Sequence, residues 1–177
     1  MNLDEAIHLI RDGVPIEPSV WADLGAGSGN FTLALNEILG FGSVIFAVDQ
    51  RLHILRDRLK SIYTRSTIHL YEESFTSIMS FLPKLDGILM ANALHFVPKQ
   101  EDFLKNLCEL HLKPGGTLLI LEYDRFESDQ WVPYPLPLPH FEWLASQIGL
   151  SLPEEIGRKR SIFGNQDLYA AYCNKAK

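Results

Sequence analysis

The stretch Trp21–Phe31, WADLGAGSGNF, decides the fold of this 177-residue chain. The apolar run at 19–24 predicts a buried strand, and residues 30–40 follow with apolar side chains at helical spacing. Three glycines lie between these two elements, Gly25, Gly27 and Gly29. A plain turn needs one glycine, so three of them predict a main chain kept bare for the close approach of a ligand. The turn from strand to helix is also where open α/β sheets bind ligands.

The rest of the chain continues this alternation of strands and helices, which predicts an α/β fold with a mostly parallel sheet. We expect further strands at 43–49, 67–71, 85–92 and 117–123, and helices at 3–11, 50–62, 76–82, 99–112 and 140–149. The ending, 154–175, reads as two strands joined by a turn at Gly164 and Asn165, which predicts a hairpin at the sheet edge.

Length and composition restrict the class of protein. With 46% hydrophobic residues, the chain can bury one core, so we expect a single domain over residues 1–177. No apolar run approaches the roughly 20 residues of a membrane span, and the acidic start MNLDEAIHLIRDG is unlike a secretory leader, so we expect a cytoplasmic protein without membrane contact. A net charge of −6 disfavours nucleic acid as a partner. The two cysteines lie outside any Cys/His cluster, so no metal site is expected.

The spacing of the glycines narrows the choice of ligand. Dinucleotide-binding folds use G-x-G-x-x-G, but Asn30 occupies the place of the third glycine here and the order is G-x-G-x-G. Asp23 precedes the first glycine by two residues, and its carboxylate would repel a pyrophosphate while attracting an ammonium or sulfonium group. A cationic ligand is therefore favoured, and an NAD(P)-dependent oxidoreductase is the third choice of function.

The chain resembles the class I S-adenosylmethionine-dependent methyltransferases. The resemblance lies in DLGAGSG (23–29), in Asp49 at the end of the second strand, in LDGILMANALHFV (85–97), in LKPGGTLLILE (112–122) and in the final hairpin. It implies a Rossmann-like, doubly wound seven-stranded sheet of order 3-2-1-4-5-7-6, with the last strand antiparallel and helices on both faces. It also implies S-adenosylmethionine as the cofactor and S-adenosylhomocysteine as the product.

The resemblance assigns cofactor-binding residues by position. The glycine run would contact the methionine part of the cofactor, and Asp49 would hold both ribose hydroxyls. An aspartate usually meets the adenine amino group after the third strand, but here either Ser74 or Glu73 must serve, with the Phe75 amide near a ring nitrogen. The predicted set is Asp23, Gly25, Ala26, Gly27, Gly29, Asp49, Gln50, Ser74, Phe75 and Asn92.

His95 and Tyr123 are the two candidates for catalytic residues. Methyl transfer from a sulfonium needs no metal, so the protein chiefly positions the reactants, excludes water and, for some acceptors, removes a proton. His95, in the segment NALH after the fourth strand, could be a general base, or it could simply cap or pack the loop. Glu122 and Tyr123 end the fifth strand, where either could hydrogen-bond an acceptor or merely cap the strand.

The sequence gives less information about the methyl acceptor than about the cofactor. Prolines at every second position from 133 to 139 exclude a central strand, and the aromatic residues Trp131, Tyr134 and Trp143 make this segment either an apolar lid or a packed crossing over the sheet. The N/D-P-P-Y/F motif of amino-group methylation is replaced by NALHF. We therefore expect a small, partly apolar acceptor that is methylated on O, N or C, and a possible homodimer. A non-catalytic cofactor-binding module is the alternative.

Overall fold

A computed structural model describes residues 1–77, 79–160 and 167–177. Seven strands form one sheet in the order β3-β2-β1-β4-β5-β7-β6. The strands are β1 (Val20–Leu24), β2 (Val44–Val48), β3 (Thr67–Tyr71), β4 (Leu85–Ala91), β5 (Leu112–Tyr123), β6 (Glu154–Arg160) and β7 (Asp167–Asn174). The first five pair in parallel, and β7 runs antiparallel to both β5 and β6. The predicted fold class and strand order are confirmed.

Five helices cover the two faces of the sheet, namely α1 (Leu3–Ile10), α2 (Asn30–Ile38), α3 (His53–Leu59), α4 (Gln100–His111) and α5 (Leu138–Gln147). The first three pack on the face that carries Trp21, Ile45 and Ala47. The other two pack on the face that carries Ala22 and Leu24. Strand residues alternate between the faces because side chains in a strand point to opposite sides in turn. Both faces are buried, which explains the nearly continuous apolar strands.

The topology places the candidate site. Strand β1 pairs with β2 on one side and with β4 on the other, so the direction in which the strand order grows reverses at β1. A crevice forms outside the carboxyl ends of parallel strands at such a reversal. The segments after β1, β2, β4 and β5 all begin at this edge of the sheet.

Three sequence-based expectations need correction. The helix expected at 76–82 is not formed in the described part of that segment; a pair of stacked rings, Tyr71 and Phe81 at 3.9 Å between centroids, packs it instead. The fifth strand starts at Leu112 rather than at 117, because Leu112 pairs with Leu85 before a register shift. The helix expected at 50–62 is limited to His53–Leu59. The predicted turn at Gly164 and Asn165 lies outside the described residues.

Within the described ranges, none of the helices combines the length and the apolar character that crossing a membrane requires.

Candidate functional site

The glycine loop at residues 25–29 uses backbone conformations that favour glycine. Gly25, Gly27 and Gly29 have φ values of +86°, +52° and +84°. A Cβ on Gly25 would lie 2.6 Å from the Cβ of Ala93, and one on Gly29 would overlap the Leu55 side chain. A Cβ on Gly27 would meet only the Gly25 carbonyl oxygen, at 3.9 Å. Two of the glycines therefore serve packing, and Gly27 leaves a bare main chain facing open space.

Gly29 serves the packing of the loop against a helix that comes later in the chain. The structure shows that it makes room for Leu55 of the next helix, α3. Arg58, also in α3, donates from Nη1 to the Ser28 carbonyl oxygen at 2.9 Å and to Asn30 Oδ1 at 2.7 Å. The loop is thus held from α3 by the side chain of Arg58.

Asp49 lies directly over the glycine loop. Its Oδ2 accepts from the Gly27 N–H at 3.0 Å, and its Oδ1 accepts from the Arg51 N–H at 2.8 Å. These bonds use two of the roughly four lone-pair sites of a carboxylate. The remaining sites can accept two hydroxyl donors on the exposed side. Gln50, next to Asp49, is exposed to solvent.

Asp23 is buried below the same loop, with 1% of its surface exposed. Its Oδ2 accepts from the Thr32 hydroxyl at 2.6 Å, while Oδ1 has no hydrogen-bond partner. Burial raises the pKa of Asp23 to about 7, the Asp49 carboxylate adds to the rise, and the bond from Thr32 opposes it. A buried acid with an unpaired oxygen would be stabilised as a carboxylate by a cation bound nearby.

These features fit a molecule of the S-adenosylmethionine type. The open backbone at Gly27 leaves room for an extended chain, the unpaired Oδ1 of Asp23 suits a positive charge, and Asp49 has acceptor capacity for a diol. Ala26 is buried between Gly25 and Gly27 and presents its backbone to the same loop. The structure therefore brings together two of the predicted motifs, DLGAGSG (23–29) and Asp49.

The predicted adenine contacts are less distinctive. Phe75 lies 3.5 Å from where a Gly25 Cβ would sit, so its ring borders the loop. The Ser74 hydroxyl pairs with the Thr76 hydroxyl at 2.8 Å, and it also accepts from the Thr76 N–H at 3.3 Å. Glu73 is exposed. The choice between Ser74 and Glu73 stays open.

The segment after β4 is organised around the buried carboxylate of Glu122. Its Oε1 accepts from the backbone N–H groups of Ala93 and His95 at 3.1 and 3.2 Å. Its Oε2 lies 2.6 Å from His95 Nδ1. Glu122 is fully buried, so it holds the loop and the imidazole and does not itself reach an acceptor. With an ionised Glu122, Nδ1 carries the proton and Nε2 keeps its lone pair.

Asn92 adds backbone strain at the same place. It is the one described residue other than glycine with positive φ, at +51°, and its side-chain Oδ1 is buried without a partner. Such conformations cost free energy and cluster at functional sites. Asparagine tolerates this region of backbone conformation better than most residues do.

A cavity of about 610 Å³ opens beside this segment. Four of its lining side chains are rings, those of His95, Phe96, Tyr123 and Trp131. The others are Asn92, Arg125, Asp129 and Val132. Both residues predicted for catalysis, His95 and Tyr123, therefore border one cavity. Trp131 of the predicted aromatic lid also lines it, whereas Tyr134 and Trp143 are not among its described lining residues.

The proline-rich segment is anchored over the sheet. Gln100, at the start of α4, donates from Nε2 to the carbonyl oxygens of Leu94 at 3.2 Å and Tyr134 at 2.9 Å. The Tyr134 N–H donates to the His95 carbonyl oxygen at 3.0 Å. Tyr169 donates its hydroxyl to the Leu136 carbonyl oxygen at 2.9 Å. The segment is thus a packed crossing that also supplies one wall of the cavity.

Several functional candidates were missed at the sequence level. Arg58, Gln100, Arg125 and Asp129 all shape the glycine loop or the cavity. Each carries a polar side chain in a segment whose pattern indicates only a helix face or a loop. No motif marks them, and the Ser28 and Asn30 partners of Arg58 and the Tyr134 partner of Gln100 lie 28 to 34 residues away.

Comparisons with known proteins give the family. A family model described as a methyltransferase domain matches residues 3–168. The ubiquinone/menaquinone biosynthesis C-methyltransferase UbiE of Azotobacter vinelandii is 30% identical over 106 residues, which cover 58% of this chain and 42% of that protein. The enzyme of that name from Vibrio cholerae is 29% identical over 106 residues, 58% of this chain and 40% of that protein. The match thus spans about two fifths of the length of these curated relatives.

Solved structures share the fold. The 1,6-didemethyltoxoflavin-N1-methyltransferase of Burkholderia thailandensis, solved with bound 1,6-didemethyltoxoflavin and S-adenosylhomocysteine, aligns with a TM-score of 0.74 at 16% identity, covering 99% of this chain and 78% of that one. A SAM-dependent methyltransferase from Aquifex aeolicus aligns with a TM-score of 0.72 at 17% identity, covering 96% and 89%. The match over residues 3–168, together with the observed sheet order, shows that this chain belongs to the methyltransferase domain family and has the class I Rossmann-like fold predicted from its sequence.

Proposed function

We propose that this chain binds S-adenosylmethionine over the glycine loop and transfers its methyl group to a small acceptor held in the cavity beside His95. The observation that carries the proposal is the buried Glu122–His95 pair, whose imidazole borders that cavity. The segment 92–96, which lines the cavity, also contacts the glycine loop, since Gly25 packs against Ala93, whose N–H donates to Glu122.

Each cofactor-side residue has a role in this proposal. The bare backbone at Gly25, Ala26 and Gly27 receives the amino-acid part. Asp23 provides negative charge for its ammonium group or for the sulfonium, and Asp49 accepts from the ribose hydroxyls. Ser74, Phe75, Gln50 and Asn92 complete the expected contacts, with the adenine contact still divided between Ser74 and Glu73.

When bound, the cofactor would supply the methyl group, and its sulfur would keep the electron pair of the broken bond as the acceptor bonds to carbon. The chain's own residues hold the acceptor and control its proton. Glu122 keeps Nδ1 of His95 protonated, so Nε2 can take a proton from an acceptor hydroxyl, amino or acidic carbon group. The Tyr123 hydroxyl, on the same cavity, can donate a hydrogen bond to the acceptor.

The relatives differ in the atom that they methylate. The Azotobacter vinelandii protein is named as a C-methyltransferase, whereas the Burkholderia thailandensis protein is named as an N1-methyltransferase. We therefore propose a small, partly apolar acceptor and leave O, N and C as its possible accepting atoms. A cofactor-binding module without catalysis is the alternative, and it is favoured only by the short substrate-binding apparatus of the chain.

Calorimetric titration with S-adenosylmethionine, S-adenosylhomocysteine and NADH tests the cofactor. We expect both sulfur compounds to bind and NADH not to bind; binding of NADH alone would contradict the proposal. Methyl transfer is then measured with a cofactor labelled in the methyl group and a small-molecule extract. His95→Gln is expected to lose transfer but keep cofactor binding, whereas the exposed His140→Gln variant is the matched control. Cofactor binding without transfer to any small molecule would favour the module.

A further inference from the structure

The cavity wall is unusually rich in exposed aromatic surface. Trp131 is 73% exposed and Phe96 is 53% exposed, although both line the cavity. Leaving such large apolar rings in water costs free energy, which a ligand that covers them would recover. Exposed apolar surface within a concave site is typical of a ligand-binding surface.

The rings surround the imidazole of His95. Its centroid lies 4.2 Å from that of Phe96 and 6.2 Å from that of Tyr123, with the planes tilted by 53° and 51°. These separations fall in the range where aromatic rings attract one another. A flat aromatic ring placed beside Nε2 would therefore interact with the rings of Phe96 and Tyr123, whereas an aliphatic chain would gain only buried apolar surface.

Arg125 supplies unused hydrogen-bond donors at the same cavity. Its side chain is only 11% exposed, and Nη1 donates to Asp129 Oδ2 at 2.7 Å. The Asp129 Oδ1 accepts from the N–H groups of Trp131 and Val132, both at 2.8 Å, so this ion pair also holds the segment that carries Trp131. The Nε of Arg125 is buried without a partner, and its Nη2 bonds to no described residue.

The geometry points to one class of acceptor. We propose that the cavity binds a planar aromatic compound with an acidic hydroxyl and a second oxygen substituent, either a carbonyl or a carboxylate. The ring lies against Trp131, the hydroxyl faces His95 Nε2 and the second oxygen accepts from Arg125. This inference rests on the proposed function, because it identifies the acceptor of that same site.

Binding of model compounds tests the inference without any turnover. The three hydroxybenzoate isomers, phenol, benzoate and 4-hydroxycyclohexanecarboxylate are titrated into the protein, with and without saturating S-adenosylhomocysteine, by calorimetry and by tryptophan fluorescence. At least one hydroxybenzoate is expected to bind ten times or more as tightly as phenol, benzoate and the saturated analogue. Its binding should quench the emission of Trp131.

Three variants locate the contacts. Trp131→Ala is expected to weaken hydroxybenzoate binding about tenfold and to abolish the quenching. Trp143→Ala is the matched control, since Trp143 is 49% exposed on α5 but is not among the described lining residues, and it should bind normally. Arg125→Met is expected to remove the preference for hydroxybenzoate over phenol, whereas Arg125→Lys should keep part of it. Circular dichroism checks that each variant is folded.

The outcomes separate the two proposals. If S-adenosylhomocysteine binds but no aromatic compound is preferred over the saturated analogue, the aromatic acceptor is wrong and the methyltransferase function stands. If Trp131→Ala and Trp143→Ala bind alike, or Arg125→Met keeps its preference for the second oxygen, the assigned contacts are wrong. If S-adenosylhomocysteine does not bind at all, the proposed function itself fails and this inference fails with it.

Discussion

The two sides of the candidate site are built in different ways. The glycine side uses main chain from residues 25–29 and two carboxylates, the buried Asp23 and Asp49, which bonds to Gly27. The acceptor side uses side chains from three separate segments, 92–96, 122–125 and 129–132. Backbone recognition requires glycine at fixed positions, because other residues rarely adopt positive φ. Side-chain recognition can change by substitution without altering the fold, so one side is recognisable in sequence and the other is not.

The largest expected effect is on the acceptor side. In Glu122→Gln, the amide oxygen can still accept from Ala93 and His95, but the amide NH2 would face His95 Nδ1 and donate to it. The proton then moves to Nε2, which can no longer act as a base. We expect kcat to fall about 10²- to 10⁴-fold with cofactor affinity unchanged. The rate is measured with an acceptor found by the labelling assay.

A second measurement needs no substrate. The ¹⁵N chemical shifts of His95 should show protonated Nδ1 in the parent protein and protonated Nε2 in Glu122→Gln. Glu142→Gln, on α5 and outside the described cavity lining, is the control and should leave both rate and tautomer unchanged. An unaltered tautomer in Glu122→Gln would mean that the pair does not position the imidazole.

The next largest effect separates packing from binding within the glycine loop. Gly29→Ala is strained at φ +84° and also overlaps Leu55, so we expect it to lower the free energy of unfolding by about 2–5 kcal/mol. Gly42→Ala has almost the same φ, +85°, with nothing within 4 Å, and should cost only about 1–2 kcal/mol. Urea denaturation measures both. Equal losses would show that the contact with Leu55 is unimportant.

Gly27→Ala completes this set of variants. Its Cβ would point into open space, so its stability should match that of Gly42→Ala, while the affinity for S-adenosylmethionine should fall more than that of Gly42→Ala. Normal affinity in Gly27→Ala would mean that the bare backbone is not a ligand contact.

A smaller effect is expected for the ribose contact. Asp49→Ala removes acceptors for two hydroxyls, and each charge-assisted bond contributes about 1.5–3 kcal/mol. Calorimetry should therefore show at least a tenfold loss of affinity for S-adenosylmethionine. Asp57→Ala, at an exposed pair with Lys60, is the control. Because Asp49 also accepts from Gly27 and Arg51, a thermal melt must show that the variant is folded. Unchanged affinity would remove the ribose assignment.

The smallest effect concerns pH. Burial raises the pKa of Asp23 to about 7, above the ordinary value of 3.8, so the folded protein holds an extra proton between these pH values. Its stability should fall as pH rises through that window. A bound cation favours the carboxylate, so affinity for S-adenosylmethionine should rise with pH up to about 7, by at most about tenfold for each pH unit. Calorimetry from pH 5.5 to 7.5 measures this rise, and Asp23→Asn should abolish it.

Much of the fold could be predicted from local patterns. The strand at Thr67–Tyr71 and the helix at Leu3–Ile10 follow directly from apolar spacing. The early start of β5 could not be predicted, because KPGG reads as a turn until Leu112 finds its partner Leu85 in β4. The helix expected at 76–82 is likewise not formed in the described residues of that segment. There Phe81 stacks on Tyr71, a contact between residues ten positions apart that apolar spacing does not predict.

In the site too, local patterns could be predicted from the sequence, and contacts between distant residues could not. DLGAGSG indicated Asp23 and the loop, because its glycines must lie at fixed spacing. The roles of Glu122 and Arg58 depend on partners 27 to 30 residues away, which no local pattern contains. The sequence left two roles open for Glu122, a hydrogen bond to an acceptor or a cap on the strand end, and the structure shows its carboxylate bonded to the Ala93 N–H and to His95.

The amide of Gln100 has a consequence for protein engineering. One side chain joins the carbonyl of Leu94 to that of Tyr134, so the wall carrying Trp131 is fastened to the segment carrying His95. If residues 124–137 are replaced by the corresponding loop of a related protein, the new loop would keep its position relative to His95 only if the two hydrogen bonds of Gln100 are retained. Libraries that vary the loop for new acceptors should therefore leave position 100 as glutamine and randomise only the residues that face the cavity.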